Sequence, residues 1–193
     1  MLIRDVMTKP VVTVRPTDPV RQAIRLLYRH NVTAAPVLDE AGHLVGIVSE
    51  LDLLRGEFEP DPRAHARPVH DLVGPPPLSI AEVMTDKVIT VTESTDVTTA
   101  IDHMVGRRVK SLPVMRGDAL VGIVSRRDLM AMLARSDASL RQDVLTALRE
   151  QYPTLDVTVR DGVAELTGPF DDLADVIVRT VPGIVRVIHR SAS

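Results

Sequence analysis

Two short motifs in the chain combine residue types that can hold a sugar and a phosphate. Each is a Ser-x-x-Asp sequence at the start of a predicted helix, running from Ser49 to Asp52 and from Ser125 to Asp128. A carboxylate can accept hydrogen bonds from both hydroxyls of a ribose, and the free N–H groups of a helix N-terminus suit a phosphate. The same spacing is also that of a capping box, in which the two side chains only stabilise the helix start. The residues alone leave both interpretations open.

The two motifs differ only between Ser and Asp. One contains Arg126 and Arg127, and the other contains Glu50 and Leu51. Arginine forms bidentate, charge-assisted hydrogen bonds with phosphate, whereas Glu50 would repel it. If only one of the two sites is occupied, the sequence therefore predicts the one that contains Asp128. The alternative is that both arginines are solvated residues of a first helical turn.

Each motif is the end of a longer repeat. "LVGIVS" comes before the Asp in both copies, and "DVMTKPVVTV" from residue 5 aligns with "EVMTDKVITV" from residue 82. Both copies predict strand, helix, strand, strand and helix, with the first strand at 11–14 and a helix start at a Thr or Asp cap followed by Pro19. Two repeats are too few for a solenoid, so we expect two half-domains that share a buried face. The apolar helix stripes are Val20, Ala23, Ile24 and Leu27 in one copy and Val97, Ala100, Ile101 and Met104 in the other.

The doubled pattern of "VMT", "APV" or "LPV", and "GIVSxxD" resembles a tandem pair of cystathionine β-synthase (CBS) domains, or Bateman module. The resemblance implies an α+β fold of two pseudo-symmetric repeats, at 1–57 and 79–135, joined by a proline-rich linker at 58–78. It also implies a homodimer and clefts that bind adenosine-containing ligands as regulatory signals. AMP, ADP and ATP are the leading candidates, S-adenosylmethionine is another, and no cofactor is required.

In this family each cleft draws on both repeats. We call the two expected sites cleft A, which contains Asp128, and cleft B, which contains Asp52. For cleft A the resemblance implies Thr8, Val12, Val32, Thr33, Ala34, Lys110, Ile123, Ser125, Arg127 and Asp128. For cleft B it implies Thr85, Ile89, Val109, Lys110, Ser111, Ile47, Ser49 and Asp52.

The remainder of the chain, 136–193, has a different pattern. It predicts a helix with Leu140, Val144, Leu145 and Leu148 on one face, then a hairpin that turns at Asp161-Gly162. A short helix, a turn at Pro182-Gly183 and a last strand follow. "VTVRDGVAELTG" and "VPGIVRV" resemble a small α/β BON domain, a family proposed to bind phospholipid or partner proteins. Nine acidic residues against six arginines make anionic lipid an unfavourable ligand, so we expect an unidentified protein partner.

Composition excludes several functions. The chain has 193 residues, a net charge of −3 and no cysteine, which excludes disulfides and thiol catalysis. Four aromatic residues provide no stacking surface for single-stranded nucleic acid. His65 and His70 are too far apart for a metal pair on one helix face, and we expect no metal site. The absence of a signal peptide or an apolar run of 18 residues favours a cytoplasmic location.

The leading hypothesis is a non-catalytic adenine-nucleotide sensor that passes its signal through the BON-like domain. One alternative is a structural or interaction protein with empty clefts, and another is an adaptor associated with phospholipid through the BON-like domain. An enzyme is not expected, because the clefts contain no candidate general base other than the two aspartates.

Overall fold

A computed structural model of the chain describes residues 1–55, 57, 77–169 and 171–190. Most of the predicted linker at 58–78, including His65 and His70, lies outside the described residues. The fold is mixed α+β, with three small sheets and six α-helices in the described ranges. None of the helices in these ranges is long and apolar enough to cross a membrane.

The two repeats have the same core elements. The first contains helix α1 (Val20–His30), strands β1 (Ala34–Leu38) and β2 (Leu44–Ser49), and the short helix α2 (Glu50–Leu54). β1 and β2 pair antiparallel around a turn in which Gly42 has φ +87°. Alternate residues of β2 are buried, so this strand contributes Val48 to the core and leaves Ile47 half-buried at its edge.

The second repeat adds one short strand to this pattern. Its elements in chain order are β3 (Val91–Thr92), α3 (Val97–Gly106), β4 (Ser111–Arg116), β5 (Ala119–Ser125) and α4 (Arg126–Leu133). β3 pairs parallel with β4, which pairs antiparallel with β5. The predicted order of strand, helix, strand, strand and helix is therefore present in this repeat.

Three local predictions differ from the structure. The strand expected at 11–14 is reduced to a single bridge between Val14 and Val37. Pro19 is the N-cap of α1, and no side chain caps it, because the Asp18 carboxylate instead accepts a hydrogen bond from the Arg15 amide at 2.8 Å. Ile101 is 41% exposed, although Val97, Ala100 and Met104 on the same helix are buried.

The segments that begin the two repeats pack on the opposite repeats. Ile3 is fully buried in the core of the second repeat, and the Ile3 amide donates to the carbonyl of Thr95. Ile80 is fully buried in the core of the first repeat, where the Leu78 carbonyl accepts from the Val20 amide. The two repeats thus exchange their first segments, and the core of each repeat includes an isoleucine from the first segment of the other repeat.

Two glycines make this exchange possible. A Cβ at Gly122 would lie 2.5 Å from Sδ of Met7, and one at Gly46 would lie 2.7 Å from Sδ of Met84. Each methionine therefore occupies the space above a glycine of the opposite repeat. This contact explains why "VMT" and "LVGIVS" occur together in both copies.

The C-terminal part of the chain has a core of its own. It comprises α5 (Asp137–Leu148), β6 (Asp156–Arg160), β7 (Val163–Thr167), α6 (Asp172–Arg179) and β8 (Arg186–Arg190). The sheet order is β6-β7-β8, antiparallel and then parallel. The predicted hairpin turn is confirmed, since Asp161 and Gly162 have φ of 50° and 73°. Leu140, Val144 and Leu148 are buried as predicted, and Leu145 is partly buried.

Arg135 joins this part to the second repeat. Its guanidinium donates to the carbonyl of Pro182 at 2.8 Å and to Oγ of Ser139 at 2.9 Å, and forms an ion pair with Asp143. The apolar core of 140–187 is a separate cluster from those of the two repeats. The C-terminal unit therefore has its own core, while Arg135 and a cavity lined by Met132, Leu133, Ile184 and Val185 connect it with the second repeat.

Candidate ligand-binding clefts

Both Ser-x-x-Asp motifs form capping boxes. The Ser49 amide and hydroxyl donate to Oδ2 of Asp52 at 2.8 and 2.6 Å. The Ser125 amide and hydroxyl donate to Oδ2 of Asp128 at 2.7 and 2.6 Å. Capping therefore accounts for one carboxylate oxygen of each aspartate. It leaves the other oxygen, Oδ1, for a different partner.

The second carboxylate oxygen differs between the repeats. Oδ1 of Asp128 accepts a hydrogen bond from the Thr8 hydroxyl at 2.8 Å, across the boundary between the two repeats. At the equivalent place, Thr85 and Ile47 form a backbone bridge, and no described residue donates a hydrogen bond to Oδ1 of Asp52. Both aspartates thus cap a helix, but Oδ1 accepts a hydrogen bond from a described residue in Asp128 and not in Asp52.

Cleft A is a cavity of about 240 Å³ to which both repeats contribute. Its floor and walls include eight of the ten expected residues: Thr8, Val32, Thr33, Ala34, Ile123, Ser125, Arg127 and Asp128. Val12 and Lys110 are not among the lining residues. Val12 is half-buried elsewhere, and Lys110 lines cleft B.

Sequence reasoning missed three residues of cleft A. His30, Asn31 and Ser111 also line it. Asn31 ends α1 in the left-handed conformation with φ 53°, and its Oδ1 accepts a hydrogen bond from Arg127 at 3.1 Å. Its place directly before Val32, an expected cleft residue, was the available signal. Arg126, which the motif placed beside a phosphate, does not line the cleft.

Cleft B is also about 240 Å³ and is lined by all eight expected residues: Thr85, Ile89, Val109, Lys110, Ser111, Ile47, Ser49 and Asp52. The structure adds two cations to this set, Lys87 and Arg108, and Glu50 of the motif lines the same cavity. The motif "SELD" alone indicated only negative charge here. Three cations now face two carboxylates, because the opposite repeat contributes Lys87, Arg108 and Lys110.

The two clefts meet at the centre of the pair. Thr33, Ala34 and Ser111 line both cavities, and Ser111 is only 7% exposed. Ala34 and Ser111 begin the equivalent strands β1 and β4. A ligand in either cleft would therefore touch both repeats and the residues shared with the other cleft. In the described part of the chain, no group of three or more His, Asp or Glu side chains could hold a metal ion.

Comparison with known proteins identifies the class that this fold and these clefts define. The sequence profile of the CBS domain matches residues 3–59 and 80–135, more than half of the chain, so the chain belongs to the CBS-domain family. The two matches form a tandem pair.

Three similar proteins illustrate the range of the family. The uncharacterised protein MJ1426 of Methanocaldococcus jannaschii is 32% identical over 160 residues, covering 69% of this chain and 91% of that protein. The human 5'-AMP-activated protein kinase subunit gamma-3 is 30% identical, covering 89% of this chain but 34% of that subunit. A solved CBS domain pair of the protein MJ0100, in complex with 5'-methylthioadenosine and S-adenosyl-L-methionine, has a TM-score of 0.57 and 26% identity, covering 68% of this chain and 94% of that one.

Proposed function

We propose that this protein is a non-catalytic regulatory module that binds an adenosine-containing ligand in the clefts between its two CBS repeats. One observation carries the proposal: each cleft combines an aspartate at a helix start with half-buried aliphatic residues of both repeats. The aliphatic residues suit a flat base, the carboxylate suits a ribose diol, and the helix N-terminus suits a phosphate. The ligands of the similar MJ0100 pair, 5'-methylthioadenosine and S-adenosyl-L-methionine, support the same chemistry.

The expected site residues are proposed as contacts in both clefts. AMP, ADP, ATP and S-adenosylmethionine are the ligands to test, and no further cofactor is needed. Because a ligand in either cleft contacts both repeats, binding would favour the arrangement in which the repeats are closest. This change in the relative stability of arrangements is the signal that a partner would detect.

The C-terminal unit is proposed to be a BON-like docking domain for a protein partner. Its separate core supports an independent unit. Its nine acidic residues and six arginines disfavour anionic phospholipid, which remains the alternative ligand.

The protein is proposed to work as a homodimer. Large apolar side chains are exposed on the helices of both repeats, at Tyr28, Leu51, Leu54, Val105, Met130 and Leu133. Apolar helix faces of this kind favour burial between copies. Light scattering at tens of micromolar protein should give twice the chain mass, and a monomer mass would contradict the proposal.

The function is tested by ligand-dependent stabilisation of the full chain. A ligand at 100 times its Kd stabilises the folded state by about 2.7 kcal/mol, so at least one adenosine compound should raise the melting temperature. Asp52→Ala and Asp128→Ala should then be titrated by calorimetry. Loss of a charge-assisted ribose contact in the occupied cleft should weaken binding by about tenfold to a hundredfold.

A second candidate function is a structural protein with empty clefts. The complete capping boxes favour it, because they account for Ser49, Asp52, Ser125 and Asp128 without any ligand. The absence of stabilisation by every adenosine compound would support this candidate. So would unchanged affinity in both aspartate variants whose fold is intact.

A further inference from the structure

Three cations that have no ion-pair partner among the described residues line cleft B. Lys87, Arg108 and Lys110 all line the cavity and are exposed at its surface. Within the described part of the chain, none of their side chains forms an ion pair or a hydrogen bond. Glu50 and Asp52 line the same cavity but lie beyond ion-pair distance of these cations. Cations that converge on one cavity without a partner leave a net attraction for an anion.

The equivalent positions of cleft A carry no charge. The repeat alignment places Pro10, Asn31 and Thr33 where cleft B has Lys87, Arg108 and Lys110. Arg127 is the one arginine or lysine among the described residues that line cleft A. One N–H of its guanidinium donates to Oδ1 of Asn31 at 3.1 Å, so cleft A offers a phosphate a single cation that is already held by a neutral partner.

The aspartates strengthen the same difference. Asp128 has both carboxylate oxygens engaged, Oδ2 by Ser125 and Oδ1 by the Thr8 hydroxyl. Asp52 has only Oδ2 engaged, by Ser49, among the described residues. A ribose diol can therefore bond to Asp52 without displacing a protein donor. In cleft A, Oδ1 of Asp128 has one acceptor site left beside the Thr8 hydroxyl, so only one hydroxyl of the diol can bond to it without displacing Thr8.

We infer that the two clefts take ligands of different charge, and that cleft B is the site for a phosphate-bearing nucleotide. Arg108, Lys110 and Lys87 contact the phosphates, and Oδ1 of Asp52 accepts from the ribose. The inference rests on the proposed function, since it assigns the anionic member of the adenosine ligands to one cleft. It reverses the ranking expected from the motifs, because three cations of the opposite repeat outnumber the two carboxylates of Glu50 and Asp52.

The test uses calorimetric titration of the full-length protein with ATP and with adenosine. The variant Arg108→Gln/Lys110→Gln removes two cations of cleft B and keeps the side chains polar. It should weaken ATP binding by about tenfold to a hundredfold, because charge-assisted contacts are lost. Adenosine binding should be unchanged, because adenosine has no phosphate. The matched control Arg126→Gln changes an exposed arginine that lines neither cavity and should leave ATP binding unchanged, while Arg127→Gln removes the arginine of cleft A for comparison.

The possible outcomes separate this inference from the proposed function. If Arg127→Gln loses more ATP affinity than Arg108→Gln/Lys110→Gln, or if the two lose equally, the assignment to cleft B is wrong while the proposed function stands. If neither the cleft A variant nor the cleft B variant changes ATP affinity, the assignment is also wrong. If the wild-type protein binds adenosine but not ATP, the inference fails while the proposed function stands; if it binds none of AMP, ADP, ATP, S-adenosylmethionine and adenosine, both fail. All four substituted residues are exposed, so thermal melting should confirm an intact fold in each variant.

Discussion

At the level of single residues, Asp128 links the two repeats and Asp52 does not. The Thr8 hydroxyl reaches Oδ1 of Asp128 at 2.8 Å, while no side-chain hydrogen bond reaches Thr85 from a described residue. Asp128 therefore caps α4 and also connects the first segment of the chain to the second repeat through a hydrogen bond. This added contact makes Asp128 the more structural of the two aspartates.

The hydrogen bond from Thr8 should be measurable as stability. Thr8→Val keeps the side-chain shape but removes the donor, and a hydrogen bond of this kind contributes about 1 kcal/mol net. Urea unfolding should show a loss of that order. Thr85→Val, at the equivalent position of the other repeat, is the control and should cost clearly less. Equal losses in the two variants would show that the bond contributes nothing specific.

At the level of elements, the exchanged segments depend on the close contact between glycine and methionine. Gly122→Ala would place a methyl group 2.5 Å from Sδ of Met7. Overpacking of this kind costs about 1–3 kcal/mol, and the flexible end of Met7 favours the lower value. Gly46→Ala should cost more, because the backbone carbonyl of Thr85 lies 3.2 Å from the new Cβ and cannot rotate away.

The control for the glycine prediction is Gly106→Ala. Gly106 ends α3 with no atom within 4 Å of an added Cβ, so this change should be neutral or stabilising. Urea midpoints of the variants give the comparison. When Met7 is already alanine, Gly122→Ala should cause no further loss of stability, because the methionine side chain that the new methyl group would clash with is gone. Failure of this rescue would mean that the glycine is required for another reason.

An ion-pair network holds the same first segment and should respond to pH. Glu93 forms ion pairs with Arg116 at 2.6 Å and Lys9 at 3.4 Å. The hydrogen bond from Arg116, aided by the charges of Arg116 and Lys9, lowers the pKa of Glu93 from its ordinary value of 4.5. A folded-state pKa below the unfolded one stabilises the fold above pH 4.5, and this stability is lost as pH falls through the lowered pKa.

Glu93→Gln should therefore be less stable than the wild type at pH 7, and the difference should shrink below about pH 4. Urea unfolding at a series of pH values measures it. Glu40→Gln, an exposed position on the turn between β1 and β2 without an ion pair among the described residues, is the control. A difference that stays constant with pH would exclude the network as its source.

At the level of the whole molecule, the CBS pair and the C-terminal unit have separate cores. Among the described residues, those that line the two clefts all lie between Thr8 and Asp128. Removing residues 136–193 should therefore leave the affinity for an adenosine ligand within about threefold of the full chain, a change below 1 kcal/mol. Calorimetry on the shortened chain measures this. Loss of binding with a retained fold would assign the C-terminal unit to the ligand site.

The sequence by itself determined the repeat, most helices and strands, and the C-terminal hairpin. These features depend on short-range patterns: apolar residues at helical spacing bury α1 through Val20, Ala23 and Leu27, and the Asp161-Gly162 pair fits a left-handed turn. The resemblance to CBS domains added most of the residues that line the two clefts. Family motifs could supply them because the same short segments form the cleft in each copy.

The tertiary structure alone decided which charges face which cleft and how the repeats complete each other. Lys87 and Arg108 reach cleft B, Thr8 bonds to Asp128, and Ile3 enters the core of the opposite repeat. Each of these contacts joins residues that are tens of positions apart and have no common period. Their energies depend on how the two repeats pack against each other. A motif of four residues contains no information about the side chains that the other repeat contributes.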